Sequence, residues 1–348
     1  MPPSTQKALF LDKKFGDLAI SETEVYKPGP GEILIKIQAT SLNPVDWKIK
    51  KYGMYIEEFP TILGTDIAGD VVELGEGVTD LKVGDRVFCQ GRYIPKSWCS
   101  FQQYALGLAD LTAKIPSNLT YEKAAALPVA LSAAYIGLYQ VNPHGLGLKP
   151  PVSEETRDLY DGVPIVVMGG SSSVGQLVLR LAKFSGFSPV ITTASLKHTD
   201  SLVSAGATHV LDRSLPIDEL ISEIKKIAGD EPVQYVYDSI ASAATQQVAF
   251  GILGSGGQAA FVGRVEVAVP EGVKAVAVLG GSYMVHNLEL MKRFWREEIS
   301  GWLEKGIIKA NNVEVLSGGL AGIPDGLARM EADKVSGLKL VSRPQETA

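Results

Sequence analysis

The chain is poor in cysteine. Only Cys89 and Cys99 occur in 348 residues, too few for a disulfide framework and in keeping with a reducing cytosolic setting. Histidine is scarcer than a metal enzyme would need: His144, His198, His209 and His286 are scattered, and neither HExxH nor paired CxxC occurs. A catalytic zinc needs three protein ligands and a structural one four, so the reading is no metal. Excess positive charge is missing too. The formal net charge is −6 with no Lys/Arg block, which argues against nucleic acid and anionic membrane as partners. No run of 18 apolar residues suggests a membrane span, and the N-terminus lacks a signal-peptide apolar core. The localisation expected is cytoplasmic. GxSxG and GxxxxGK[ST] are both absent, leaving serine-hydrolase and P-loop chemistry without support.

What is present changes texture along the chain. The first third is β-rich. "EILIKIQATSL" alternates Ile33, Ile35 and Ile37 on one face, a half-buried strand pattern. "DIAGDVVELGEGV" and "KVGDRVFCQG" are short apolar runs broken by Gly and Asp, predicting a small barrel with tight turns. "YEKAAALPVALSAAYIGLY" is Ala-rich and helical, interrupted at Pro128, and the segment 142–162 reads as an exposed loop. From Pro164 onward "PIVVMG", "PVITTA", "HVLD", "VQYVYDSI", "QAAFVG" and "KAVAVLGG" are near-continuous apolar runs, most of them separated by helical stretches. Such runs suit parallel strands covered on both faces, and six with crossovers make a doubly wound dinucleotide fold. The tail reads as a helix, a turn, another helix and a last strand, "GLKLVS".

The first of those strands runs into Gly169-Gly170-Ser171-Ser172-Ser173-Val174-Gly175, and a helix with Val174, Leu177, Val178, Leu181 and Ala182 on one face follows at once. Ser172 or Ser173 can cap that helix. Its unpaired N–H groups and its dipole attract phosphate, and the small side chains let a pyrophosphate approach. The next strand ends at Ser195-Leu196-Lys197-His198, without the carboxylate that would hold an NAD ribose; Asp200 lies further on. Ser195, Lys197 and His198 suit a 2′-phosphate instead, so the cofactor expected is NADPH.

Taken in order, "SLNPVDWKI", "GTDIAGDVVELGEGV", "VGDRVF", "AAALPVALSAAYIGL", "GGSSSVGQ", "ITTASLKH" and "SGLKLV" resemble the medium-chain dehydrogenase/reductase superfamily. The resemblance is to its zinc-free quinone oxidoreductase and enoyl reductase branch, nearest the fungal ToxD-like, trans-acting enoyl reductases. It implies an α/β chain with a GroES-like β-barrel catalytic domain (1–125 and 297–348) around a doubly wound Rossmann cofactor domain (126–296). Zinc-dependent relatives carry a Cys in the region of Asn43 to Asp46 and a His-Glu pair where Thr65 and Asp66 stand here. The resemblance further implies that Asn43 lies near the nicotinamide, that Tyr55 matches a proposed proton donor, and that Ser239, Gly263 and the Leu279-Gly280-Gly281 turn line the cofactor cleft, beside Gly170, Ser171, Ser172, Ser173 and Val174 of the phosphate turn read above. Tyr52 competes with Tyr55, Asp46 reads as a helix cap, and Arg264 suits either the cofactor or a surface ion pair. Ala133 departs from a Thr that helps hold the phosphates in relatives.

The function expected is therefore an NADPH-dependent, metal-free reductase of an activated C=C bond in an enone, enal or enoyl thioester. A polyketide synthase carrier is a partner in one version, and the chain is a monomer or homodimer. The alternatives are a quinone oxidoreductase and a non-catalytic cofactor-binding or RNA-binding relative.

Overall fold

Three isoleucines at alternate positions organise the first part of the chain. Ile33, Ile35 and Ile37 share one fully buried cluster with Ile67, Val71, Val87 and Cys89. Leu34, on the opposite face, is equally buried and packs with Trp98, Tyr104 and Leu106. The strand is thus covered on both sides at its start, where the alternation alone suggested one. Each such side chain contributes roughly 1.5–3 kcal/mol by leaving water.

The computed structural model describes residues 2–229 and 232–348. In chain order its early elements are β1 (Thr5–Leu11), β2 (Leu18–Glu24), β3 (Glu32–Ser41), α1 (Pro44–Tyr52), β4 (Thr61–Ile62), β5 (Asp66–Leu74), β6 (Arg86–Gln90), β7 (Tyr104–Leu108), β8 (Thr112–Lys114), α2 (Tyr121–Ala125) and α3 (Pro128–Tyr139). Next come β9 (Ile165–Met168), α4 (Ser173–Phe184), β10 (Val190–Ala194), α5 (Thr199–Ala205), β11 (His209–Asp212), α6 (Ile217–Ala228), β12 (Val233–Asp238), α7 (Ala243–Ile252), β13 (Leu253–Phe261) and β14 (Lys274–Ala277). The last are α8 (Leu288–Arg293), α9 (Ile299–Glu304), β15 (Asn312–Val315), α10 (Ile323–Glu331) and β16 (Leu338–Ser342).

The chain divides into two units. The first holds Met1–Val129, Gly281–Gly306 and Ala310–Ala348; the second holds Ala130–Gly280 and Ile307–Lys309. In the first unit, a sheet ordered β15-β16-β3-β5-β6-β8, with β7 also on β3, accompanies a small sheet ordered β2-β1-β4. Every pairing there is antiparallel except β15 with β16. The short strand β15 carries only four residues, Asn-Val-Glu-Val, too few to stand out from the helical texture around it.

The second unit is one parallel sheet in the order β11-β10-β9-β12-β13-β14. That order reverses direction between β9 and β12, as doubly wound dinucleotide folds do, and the crevice at such a reversal is where their ligands bind. All six expected strands are present. Helix α4 is buried more widely than one face: Gly175, Leu177, Val178, Leu179, Leu181 and Ala182 are covered, while Val174 is only half-buried. The segment 142–162 is irregular, but it is not wholly exposed, because Leu146 and Leu148 are buried at 3% and 4%.

Candidate functional site

In the second unit the site is made by backbone. Gly169 turns the chain after β9 at φ 74°, a left-handed conformation that glycine adopts without steric cost. A Cβ at Gly170 would stand 2.2 Å from Thr192 Oγ1, and one at Gly175 would stand 2.3 Å from the Gly169 carbonyl. The turn therefore tolerates no side chain at either place, and its backbone forms the surface. Ser172 is the cap of α4: its Oγ accepts the Gly175 N–H at 2.9 Å. The same hydroxyl donates to Ser239 Oγ at 2.9 Å, and Ser239 donates to the Met168 carbonyl at 2.7 Å. Ser239 thus joins the turn from the end of β12. The residues present fit a dinucleotide's pyrophosphate: a side-chain-free turn, hydroxyls on three successive residues, and a helix start whose first N–H groups lack intrahelical acceptors.

At the ends of β10 and β11 positive charge collects. Lys197 is exposed and His198 half-buried. Arg213 is tied to the end of β10, its N–H donating to the Ala194 carbonyl at 3.0 Å. Partial burial lowers the His198 pKa, and the charges of Lys197 and Arg213 lower it further. The three side chains therefore share one electrostatic neighbourhood. Arg213 was missed in the sequence; its signal was an arginine one position beyond the short strand "HVLD".

The other expected cofactor residues lie elsewhere in this unit. A Cβ on Gly280 would meet the Ala133 backbone at 2.9 Å, and one on Gly263 would meet Ala241 Cβ at 2.9 Å. Leu279 is 58% exposed. Arg264 enters the hydrogen-bond network through its carbonyl, which accepts from Gln246 Nε2 at 2.8 Å.

In the first unit the site is made by side chains. Asn43 and Asp66 are 3% and 0% exposed, and Lys339 is buried at 4%. The Lys339 ammonium donates to Asn43 Oδ1 at 2.5 Å and to Asp66 Oδ2 at 3.1 Å. Asn43 Nδ2 donates to the same carboxylate oxygen at 2.8 Å, and Ser41 Oγ donates to it as well. Asp66 Oδ1 takes the Val129 N–H at 2.7 Å. Every polar atom of the carboxylate is occupied, the condition under which a buried ion pair is tolerated. The arrangement also fixes the Asn43 amide: its oxygen must face the ammonium and its nitrogen the carboxylate.

Asp46 stands beside this cluster in the first turn of α1; the cap itself is Asn43, not Asp46 as the sequence suggested, and Asp46 closes the capping box from the third helical position. Its Oδ2 accepts the Asn43 N–H at 2.7 Å, while Oδ1 accepts from Gly64 N at 3.1 Å and Tyr93 Oη at 2.8 Å. Complete burial pushes its pKa up to about 6, against the lowering effect of those hydrogen bonds. Tyr55 lies past the end of α1, 66% exposed, with φ 65°; Tyr52 is 53% exposed. Sequence reasoning missed Lys339 and the role of Asp66. The available signal was a lysine between two leucines in an otherwise apolar last strand. Among the described residues, no group of three or more His, Cys, Asp or Glu side chains is placed to hold a metal ion.

Residues 29–117 match the alcohol dehydrogenase GroES-like domain, and residues 173–300 match the zinc-binding dehydrogenase family. The trans-enoyl reductase himH of Aspergillus japonicus is 34% identical over 319 residues, covering 89% of each chain. The trans-enoyl reductase fsa3 of a Fusarium species is 30% identical over 362 residues, covering 97% of this chain and 98% of its own. The solved quinone oxidoreductase of Coxiella burnetii shares the fold with a TM-score of 0.74 at 24% identity, covering 97% of this chain and 99% of its own. The chain belongs to the medium-chain dehydrogenase/reductase family, in its zinc-free enoyl reductase group. It is an oxidoreductase of a family that binds nicotinamide cofactors.

Proposed function

We infer that the protein is an NADPH-dependent reductase of an electron-poor C=C bond. The alkene rests on one observation: near full-length relatedness to proteins named trans-enoyl reductase. The choice of NADPH is supported by Lys197, His198 and Arg213 beyond β10 and β11, where no carboxylate ends β10. When bound, the reduced nicotinamide supplies a hydride, which adds at the β-carbon of the alkene. Negative charge then builds on the conjugated oxygen, and the α-carbon must receive a proton.

On this reading Ser171, Ser172, Ser173 and the N–H groups at the start of α4 hold the pyrophosphate, with Ser239 bracing the turn. Lys197 and Arg213 take the 2′-phosphate, with Ser195 and His198 at its edge. Gly263, Leu279 and Gly280 bound the nicotinamide end. Asn43, its amide locked by Lys339 and Asp66, keeps a second Nδ2 hydrogen that is proposed to orient the substrate. Tyr55 is the proton donor proposed here. Its phenol is exposed, and its left-handed backbone is the kind of strain that collects at functional positions. The setting is cytoplasmic, supported by two buried free thiols. The partner is the alkene substrate, free or on a polyketide synthase carrier, and the chain acts as a monomer or homodimer.

The test is NADPH oxidation against enones, enals, enoyl thioesters and quinones. Turnover of alkenes with formation of the saturated product supports the reading. Turnover of quinones alone replaces it with quinone reduction, and no turnover of any acceptor overturns it. Tyr55→Phe is expected to lower kcat while leaving NADPH affinity unchanged; an unaltered kcat removes Tyr55 from the chemistry.

A further inference from the structure

Two segments of the first unit that lie 192 positions apart are clamped together. Gln90, the last residue of β6, accepts through Oε1 from Ser282 N at 2.9 Å and from Ser282 Oγ at 2.8 Å. Trp295 Nε1 donates to Ser282 Oγ at 3.1 Å, and Asn287 Nδ2 donates to the Gly281 carbonyl at 3.0 Å. Arg92 follows the first clamped segment by two residues, and Tyr283 follows Ser282 directly. Both side chains are half-buried.

The Arg92 guanidinium carbon lies 4.0 Å from the ring centroid of Trp98, and Trp98 is itself 3% exposed. The Arg92 backbone N–H donates to the Trp98 carbonyl at 3.3 Å, so the stacked arrangement is held at both ends. Arg92 Nε is buried without a hydrogen-bond partner, and no carboxylate pairs with the guanidinium among the described residues. Tyr283 is close enough to feel this charge. Burial raises the pKa of its phenol, and Arg92 lowers it in part. The hydroxyl stays protonated at neutral pH and can donate.

A partly desolvated cation with no anion beside it is costly, unless a ligand supplies the anion. The edge of a guanidinium formed by its two Nη groups matches the two oxygens of a carboxylate, and on the half-buried Arg92 that is the end left for a ligand, because Nε is closed off. We propose that Arg92 and Tyr283 form a carboxylate-binding site that selects alkene substrates carrying an acid group. The alkene in that statement rests on the reductase reading above; the carboxylate rests on Arg92, Trp98 and Tyr283 alone.

The probe is 4-oxopentanoate, a saturated and unreactive acid, compared with its methyl ester by ligand-observed NMR on the full chain without cofactor. The acid is expected to bind at least about tenfold more tightly than the ester, in line with a charge-assisted hydrogen bond. Arg92→Met erases the preference, and Tyr283→Phe reduces it several-fold. Should Arg92→Met fail to fold, phenylglyoxal modification of Arg92 in the unaltered protein serves instead, and the acid should slow it where the ester does not. Equal binding of acid and ester, a preference that survives Arg92→Met, or absence of protection overturns the proposal. So does inorganic phosphate binding more tightly than the acid, which would make this a phosphate site. The two readings fail separately. Alkene reduction without acid preference sinks only the carboxylate site, and acid preference without alkene reduction sinks only the reductase.

Discussion

The two units build their candidate sites from different materials. In the second, the turn from β9 into α4 works through backbone: Gly170 and Gly175 admit no Cβ, and Ser172 caps the helix. In the first, Asn43, Asp66 and Lys339 work through side chains buried together. A backbone site tolerates change in the charges around it and fails when a glycine acquires a side chain. A buried side-chain site is hostage to each of its charges.

The largest effect that would sharpen this contrast is expected from Lys339→Met. Removing the cation leaves Asp66 buried with no counter-charge, a loss of about 3–5 kcal/mol, read by denaturant unfolding. A change under about 1 kcal/mol would place Asp66 and Lys339 with the weak surface pairs and break the comparison. The next effect concerns Asp46. Its pKa is raised from 3.8 to about 6 in the folded protein, so the folded state holds a proton that the unfolded chain releases earlier. The Asp46 contribution to stability is therefore full below about pH 4 and is lost as pH rises to about 6, on the order of 3 kcal/mol for this group alone. Asp46→Asn should flatten that slope in unfolding experiments at pH 4 to 6, and an unchanged slope would assign it to another group. Smaller effects belong to the charges of the second unit. Lys197→Ala and Arg213→Ala should each weaken NADPH binding about tenfold and leave NADH binding as it was, with stability shifting by less than about 0.5 kcal/mol. Equal losses for both cofactors would remove the 2′-phosphate from their neighbourhood.

The same contrast explains what was legible beforehand. A turn that needs glycines is written in consecutive letters, and six apolar runs announce a parallel sheet. The glycine-serine turn, its helix and the six strands could all be anticipated from contiguous sequence. Asn43 drew notice only through family resemblance. Its partners Asp66 and Lys339 stand 23 and 296 positions away, and pairing at such separations leaves no local pattern. Lys339 even looks anomalous in isolation, a charge inside an apolar strand, until the carboxylate opposite it is known. Arg213 escaped because β11 is four residues long, and the loop after so short a strand gives little hint of where it points. The loop at 142–162 was misjudged as wholly exposed because its prolines and charges outnumber the two leucines that anchor it.

One consequence follows from where β16 sits. It lies between β15 and β3, inside the large sheet of the first unit, and it carries Lys339. Residues 130–280 form a nearly contiguous stretch and have all their strands once that stretch has left the ribosome. The N-terminal strands must wait. Until the final dozen residues emerge, β3 lacks its neighbour at Thr40 and Ser41, and Asp66 has no ammonium to face. A nascent chain halted near residue 330 should therefore carry a finished nucleotide fold and an unfinished barrel, which makes the first-made part of this protein the last to settle.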